Sequence, residues 1–462
     1  MRTIKKFPDT IAIILVIMVI FIGLTWIVPA GEYQREVIDG REMIIPDSFS
    51  SVDPNPQGIG AFLTAPIKGF ISAAFVIGFV FLVGGAFSVL NETGAINSGL
   101  FSIIKFARKN PQYKNYIVPG VTALFSLAGA TFGMSEEILV FILITIPLST
   151  ALGYDALVGA AIPIIGTGVG FAGAFTNPFT VGIAQSIAQV PIFGGMEYRL
   201  FVWVVMTGIA CIVLARYARK IEKNPKKSLM YGISEEFSSE LSGDEMPQLT
   251  LRRKIILFAL LAAILFLVYG VNELDWYINE IAALFLGLSI VAAVIYQMSL
   301  QRSIDAFVNG AKEMMKAALV IGLAKGLLVI AQDGKIIDSM LNGVALMAAD
   351  YPRYISAELM FLFQCALNFF IPSGSGQAAL TMPIMAPLSD VLGISREIAV
   401  LAFQMGDGLT NIIVPTSGVT MGALAIANVP YDRWFKWAFP LVLILMLAGM
   451  LLILPPLYLF TW

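Results

Sequence analysis

Histidine occurs nowhere in the 462 residues. That removes imidazole metal sites, serine–histidine and cysteine–histidine catalysis, and imidazole proton relays. Cysteine is nearly as scarce. Cys211 and Cys365 both lie in apolar runs, so neither a disulfide framework nor a zinc or iron–sulfur cluster is expected. Charge is the third shortage: charged residues make up 13% of the chain, about half the share of a soluble domain. With 58% hydrophobic residues and a mean hydropathy of +0.83, a soluble globular enzyme is excluded. The 29 basic and 31 acidic side chains leave a net charge of −2, without the basic face that a nucleic-acid partner requires. No Gly-Lys-Ser/Thr phosphate loop is present, so direct drive by ATP is not expected.

What fills the chain is apolar helix. A bilayer core takes about 20 apolar residues per helix. Candidate segments, some shorter than a full span, are 11–28, 71–90, 116–132, 138–152, 156–175, 200–218, 255–271, 281–298, 314–331, 357–371, 378–392, 398–414 and 434–454. The first is followed by Pro29-Ala30-Gly31-Glu32, not a small-x-small cleavage site, and is expected to be a retained helix. Basic residues set the orientation. Arg2, Lys5 and Lys6 place the N-terminus in the cytoplasm, and the acidic stretch 29–57 outside. Residues 216–254, basic at both ends and Ser/Glu-rich between, read as a cytoplasmic linker joining a first half (1–215) to a second (255–462). The C-terminus is then expected outside.

The halves repeat one another. Pro147-Leu148-Ser149 through Leu152-Gly153 matches Pro387-Leu388-Ser389 through Leu392-Gly393 at an offset of 240 residues. The same offset pairs Ser135 with Ser375, Gly94 with Gly334, Gly166 with Gly406 and Gly168 with Gly408. Ala73 to Gly78 matches Ala317 to Gly322 at offset 244. The charge rule gives the halves opposite orientations: an inverted-topology repeat, an architecture of secondary transporters.

Each half also carries polar, Gly- and Pro-rich interruptions, which lipid cannot satisfy and which must line a cavity or be buried in protein. They are Gly133 to Glu137 and Gly166 to Gly170 continuing to Thr180, then Pro372 to Gln377 and Gly406 to Asn411 continuing to Gly418. Ser, Thr and Asn supply neutral oxygens, exposed helix N-termini attract carboxylates, and unwound carbonyls coordinate sodium. The bland alternative is that the glycines only let helices pack closely. The charges are not symmetric: Glu136 and Glu137 stand opposite Gly376 and Gln377, and Asp407 opposite Thr167. Glu136 or Glu137 suits a cationic substrate group or a coupling proton, with helix capping as the alternative. Lys325, mid-helix, pairs with a buried acid or meets a substrate carboxylate.

Several of these runs are familiar. Val28-Pro29-Ala30-Gly31-Glu32-Tyr33, Gly133 to Glu137, Thr176-Asn177-Pro178-Phe179-Thr180 and Pro415 to Ala423 resemble the YfcC-type carriers, which belong with the DcuC-like anaerobic C4-dicarboxylate carriers in the ion-transporter superfamily. The resemblance covers nearly the whole chain. It implies an all-α polytopic membrane protein with broken helices and two re-entrant helical hairpins, tips at 135–137 and 373–377. It also implies a homodimer, a fixed scaffold and a transport domain moving as an elevator. The Gly406 to Asn411 run is similar to the cation-coupled aminobenzoyl-glutamate carriers.

The substrate-binding candidates are Ser135, Glu136, Glu137, Thr176, Asn177, Thr180, Ser373, Ser375, Gln377, Thr416 and Ser417. The coupling-ion candidates are Asp407, Thr410, Asn411 and again Asn177, with Na+ or H+ as the ion and neither cofactor nor resident metal. The set is acidic or neutral, with no Arg, which favours an amino acid, basic ones of the arginine/ornithine type included, over a C4-dicarboxylate. A remote enzymatic reading, an intramembrane aspartyl protease using Asp155 and Asp407, fails on Gln404, which stands where such proteases place Gly. A channel is the remaining alternative, distinguished by transport that does not saturate.

Overall fold

The computed structural model describes residues 10–38, 41–45, 48–96, 98–99, 102, 105, 109, 111–131, 133–233, 249–274, 276, 278–348 and 351–459. The first half runs α1 (Thr10–Ile27), β1 (Gly31–Glu32), β2 (Arg35–Ile38), β3 (Arg41–Ile44), β4 (Ser50–Ser51), α2 (Ile59–Ser72), α3 (Ala74–Glu92), α4 (Pro111–Thr131), α5 (Ile138–Ala151) and α6 (Ala156–Ala172). A π-helical turn (Pro178–Gly182), α7 (Ile183–Ala188) and α8 (Met196–Lys223) follow. The second half runs α9 (Leu251–Glu273), α10 (Ile278–Tyr296), α11 (Leu300–Glu313), α12 (Met315–Asp333), α13 (Ile337–Ala348) and α14 (Arg353–Asn368). It ends with α15 (Gly374–Val391), α16 (Arg396–Thr410), α17 (Gly418–Ile426), α18 (Tyr431–Ile453) and α19 (Pro456–Leu459).

Among the described residues four spans are long and apolar enough to cross a bilayer: α3, α8, α10 and the run 431–459, with the bent pair α11–α12 as a fifth. This is the signature of a multi-pass membrane protein. The expectation of an all-α chain needs correction in one place. Residues 31–51 form two short antiparallel pairs, β1 with β4 and β2 with β3, the latter in register from Arg35↔Ile44 to Ile38↔Arg41. The cause is local: Val37-Ile38 and Met43-Ile44 flank an Asp39-Gly40 dipeptide, a strong hairpin signal. The linker is also shorter than 216–254 suggests. α8 continues to Lys223 and α9 begins at Leu251. Residues 234–248, the middle of the expected linker, lie outside the described residues, as do Arg2, Lys5 and Lys6.

The sequence repeat has a structural counterpart. The Pro-Leu-Ser-x-x-Leu-Gly motif is a helix end: Gly153 (φ +84°) and Gly393 (φ +64°) adopt the left-handed conformation that glycine tolerates. In each copy the next amide reaches back to the motif serine's carbonyl, Tyr154 N–H to Ser149 O at 3.0 Å and Ile394 N–H to Ser389 O at 2.8 Å. The following helices start on matched caps, Asp155 for α6 and Ser395 for α16. Packing is reciprocal too: α2 lies on α12 as α11 lies on α3, α1 on α12 as α10 on α3, and α4 on α6 as α14 on α16. The glycine pair at 94 and 334 is an exception, since the left-handed residue beside Gly334 is Lys335 (φ +56°).

Two expected breaks fall elsewhere. Gly166 to Gly170 is helical within α6, and 406–410 within α16; the backbone unwinds at 173–177 and 411–417. The glycines serve close approach. A β-carbon on Gly166 would sit 2.8 Å from Thr122 O, and one on Gly170 would strike the Ser126 carbonyl. At the centre, α6 crosses α16 symmetrically. A β-carbon on Gly408 would collide with the Ala172 backbone nitrogen and lie 2.8 Å from Gly168 O, while one on Gly168 would meet Ile412 Cδ1 at 2.7 Å. Offset 240 relates Gly168 to Gly408 and Ala172 to Ile412, so the contact is its own mirror partner.

Because backbone cannot yield as a side chain tip can, Gly408→Ala is expected to cost about 1–3 kcal/mol. Gly208→Ala on α8, with nothing within 4 Å of its β-carbon, should cost far less. Thermal unfolding in detergent compares the two; equal midpoints would remove the crossing as a constraint.

Candidate functional site between the two interruptions

The break after α6 is closed by Asn177. Its Oδ1 accepts from Phe179 N–H at 2.9 Å and Thr180 N–H at 3.2 Å, and its Nδ2 donates to Gly129 O at 3.0 Å. Ser417 does the same for α17, its Oγ accepting from Thr420 N–H at 3.3 Å. Asn177 and Ser417, like Thr180 and Thr420, are related by 240 residues. Two sequence-distant breaks are thus capped by one geometry, and each leaves its helix start facing the other half.

Between them lies a cavity of about 180 Å³. Of the sequence candidates, Ser135, Glu136, Thr180, Ser373, Ser375, Thr416 and Ser417 line it, with Asn411 from the coupling-ion set. Its opposite wall comes from α3 and α12, through Val76, Ile321, Ala324, Lys325 and Leu328. Glu137, Thr176, Asn177, Gln377, Asp407 and Thr410 stand outside the lining. The two adjacent acids therefore part company. Glu137 turns back, its Oε2 accepting from Ser135 N–H at 2.8 Å, whereas Glu136 stays in the wall. Thr176 leans on Thr131 O at 3.4 Å, and Gln377 donates to Gln364 Oε1 at 2.7 Å.

Behind the wall is a cluster of oxygens around Asp407, which is wholly buried. Asn411 Nδ2 donates to Asp407 Oδ1 at 2.9 Å, and Asn368 Nδ2 donates to Asp407 O at 3.2 Å and to Thr410 Oγ1 at 2.8 Å. Each nitrogen is used, but Asp407 Oδ2, Asn411 Oδ1 and Asn368 Oδ1 accept nothing from the protein. Asp407 therefore sits inside a continuous helix, not beside freed carbonyls: its own C=O accepts from Asn411 N–H at 3.2 Å. Gln404, one turn earlier, donates to the Phe171 carbonyl and, at 3.0 Å, to Thr180 Oγ1. Asn368 and Gln404 were not among the sequence candidates. The available signal was polarity inside apolar helices: Asn368 stands between Leu367 and Phe369, and Gln404 between Phe403 and Met405.

α16 is held at its other end by a buried pair. Arg199 Nη2 donates to Glu397 Oε2 at 3.0 Å, and Gln185 Nε2 donates to both Glu397 oxygens at 3.1 and 3.0 Å. Gln185 Oε1 in turn accepts from Phe193 N–H at 2.6 Å. The second acid of the protease reading is occupied as well. Asp155 Oδ1 caps Val158 N–H, and its Oδ2 accepts from Tyr217 at 2.8 Å and from Ser228 at 2.6 Å, pinning the start of the linker.

The profile of the DcuC family, described as C4-dicarboxylate anaerobic carriers, matches residues 7–457, and the chain belongs to that family. It is a secondary transporter, not an enzyme. It is 34% identical to YfcC of Escherichia coli (strain K12), provisionally named a basic amino acid antiporter, over 93% of this chain and 92% of that protein. It is 30% identical to an uncharacterized protein of Haemophilus influenzae (strain ATCC 51907 / DSM 11121 / KW20 / Rd) over 97% of this chain and 96% of the other. Two solved structures align at 16% identity and a TM-score of 0.42. The YdaH transporter of Alcanivorax borkumensis aligns over 96% of this chain and 98% of its own, and MtrF of Neisseria gonorrhoeae over 97% and 95%.

Removing Arg199 would strand the Glu397 carboxylate in the interior. Arg199→Met is expected to lower stability by about 3–5 kcal/mol, with Glu397→Gln added on top restoring part of it. A double-mutant cycle of unfolding midpoints measures the recovery, and strictly additive losses would contradict the pairing.

Proposed function

We propose that the chain carries an amino acid, basic ones included, across the cytoplasmic membrane by exchange or cation coupling. The observation that carries this reading is Glu136, an acid in the wall of a small cavity that also holds neutral hydroxyls and an amide from both halves and, on the opposite wall, the single cation Lys325. An intramembrane carboxylate is costly and is retained where it binds or moves charge. The cavity of about 180 Å³ is below the 300–1,000 Å³ of drug-sized pockets, in keeping with a small metabolite. Glu136 receives the cationic group, and the capped helix starts near Thr180 and Ser417, with Ser373 and Ser375, receive the carboxylate. The name of YfcC points the same way. A C4-dicarboxylate, the substrate in the family's description, would instead leave Glu136 facing a like charge.

The oxygens of Asp407, Asn411 and Asn368 suit a hard monovalent cation, which binds oxygen donors, and we assign coupling to that cluster, with Na+ ahead of H+. The elevator reading rests on the two-sided cavity. α3 and α12, backed by α1, α2, α10 and α11, form one wall; α5, α6, α15, α16 and α17 form the other. The first group is the scaffold, through which two copies pair as a homodimer, and the second group moves. Together with the distribution of basic residues, the inverted repeat supports an N-terminus inside and a C-terminus outside, so a C-terminal reporter active in the cytoplasm would overturn that topology.

Thermal shifts of the purified protein with amino acids and with dicarboxylates, each with and without sodium, test the substrate class. Glu136→Gln is expected to weaken amino-acid binding about 10- to 100-fold and to spare dicarboxylates; equal effects on both would retire the amino-acid preference. Asp407→Asn should weaken the sodium dependence more than substrate binding, and an unaltered sodium dependence would remove it from the coupling site.

A further inference from the structure

A second cavity of about 470 Å³ adjoins the first. One side is the strand segment, with Glu32 and Arg35; the other is the elbow between α12 and α13, with Gln332, Lys335 and Asp338. Lys325, Leu328 and Ser373 line both cavities and so form the neck between them.

The outer walls are tied together. Arg35 Nη2 donates to Asp338 Oδ1 and Oδ2 at 2.9 and 2.8 Å, Tyr33 N–H donates to Asp338 Oδ2 at 3.0 Å, and Gly31 N–H donates to Lys335 O at 3.1 Å. Lys335 Nζ pairs with Glu32 Oε1 at 3.3 Å. Each of these charges is thereby compensated in place. Lys325 is not: among the described residues no acid forms an ion pair with it. The vestibule thus holds two acids and three bases, and its unbalanced positive charge sits at the neck. The acid that shares the inner cavity with it, Glu136, forms no ion pair with it, and a lysine in the middle of a transmembrane helix without a direct ion pair is expensive unless water or a mobile anion reaches it.

We propose that the vestibule is a reception site for the carboxylate of the incoming solute, with Lys325 as the cation that draws it to the neck and is shared with the inner cavity. The solute enters carboxylate first, and Lys325 releases it to the helix starts as the cationic end meets Glu136. This rests on the reading of the inner cavity as the transport site, but its electrostatic core is tested separately.

Gln332, exposed on the vestibule wall, is replaced by Cys and labelled with an anionic and a cationic methanethiosulfonate in the full chain. Each rate is normalised to that reagent's rate with a free thiol, and the parent's Cys211 and Cys365 set the background. The anionic reagent is expected to be favoured about threefold or more at low salt, falling at high salt. Lys325→Met should abolish the preference, while Lys325→Arg, which keeps the charge, should retain it and so separates charge from folding. Millimolar glutamate, succinate or arginine should slow labelling in the parent background and not in Lys325→Met. No charge preference, or one that survives Lys325→Met, would overturn the proposal. A preference that depends on Lys325, together with no thermal shift from any amino acid, would leave the vestibule standing and retire the amino-acid reading alone.

Discussion

The crossing of α6 over α16 at Gly168 and Gly408 sets the terms for everything around it. Two helix backbones come close enough there that neither position has room for a β-carbon. Lipid offers no hydrogen bonds, so each helix must also end in a way that satisfies its own freed groups. Both do so shortly after the crossing, α6 at Ala172 and α16 at Thr410, and the chain restarts on a cap, Asn177 in one half and Ser417 in the other. The cavity occupies the space left where two helices stop and two begin. Its position follows from the crossing; its chemistry follows from the side chains that the breaks present.

Backbone symmetry does not extend to charge. A two-fold arrangement of identical walls would favour a ligand with two like ends. This chain places Glu136 opposite Gly376 and Asp407 opposite Thr167, so the two ends of the cavity differ. Of its three acids near the breaks, one is consumed locally, since Glu137 satisfies the Ser135 amide. The other two differ in setting. Glu136 reaches the cavity, whereas Asp407 lies behind it among amides whose nitrogens donate to Asp407 and Thr410 oxygens.

The repeat, the helical class and the polar interruptions were legible in the sequence because each has a one-dimensional signature. The Pro-Leu-Ser-x-x-Leu-Gly pair was legible as a repeat; that each copy is a helix end closed by a left-handed glycine emerged only in the structure. The length of a break was not legible. Gly166 to Gly170 has the composition of an unwound segment, yet the same small residues serve equally for tight helix contact, and only the presence of α4 against them decides which. Asn177 illustrates a second limit. Its type suits a ligand, but its Oδ1 and Nδ2 are spent on three backbone partners, an outcome that depends on where Gly129 lies in space. Asn368 and Gln404 were hidden for the opposite reason: a single amide in an apolar helix looks the same whether it caps, packs or binds.

The halves also differ in how completely they satisfy themselves. Near the site, the first half uses its polar groups: Asn177 caps, Thr180 accepts from Gln404, and Thr167 donates to Pro163 O at 2.8 Å. The second half holds the buried oxygens that no protein donor reaches, on Asn368, Gln377, Gln404, Asp407, Asn411 and Thr416. A buried polar atom left without a partner costs about 1–3 kcal/mol. Five of them, on Asn368, Gln377, Gln404, Asp407 and Asn411, are pure acceptors and cannot satisfy each other, whereas Thr416 Oγ1 can also donate and Gln364 Nε2, unpartnered in the same half, is a donor. The five acceptors share a need for a donor or a cation, which a solute's amine, a sodium ion or water would supply. The first half thus builds the frame, and the second carries the unmet valence that makes the frame selective.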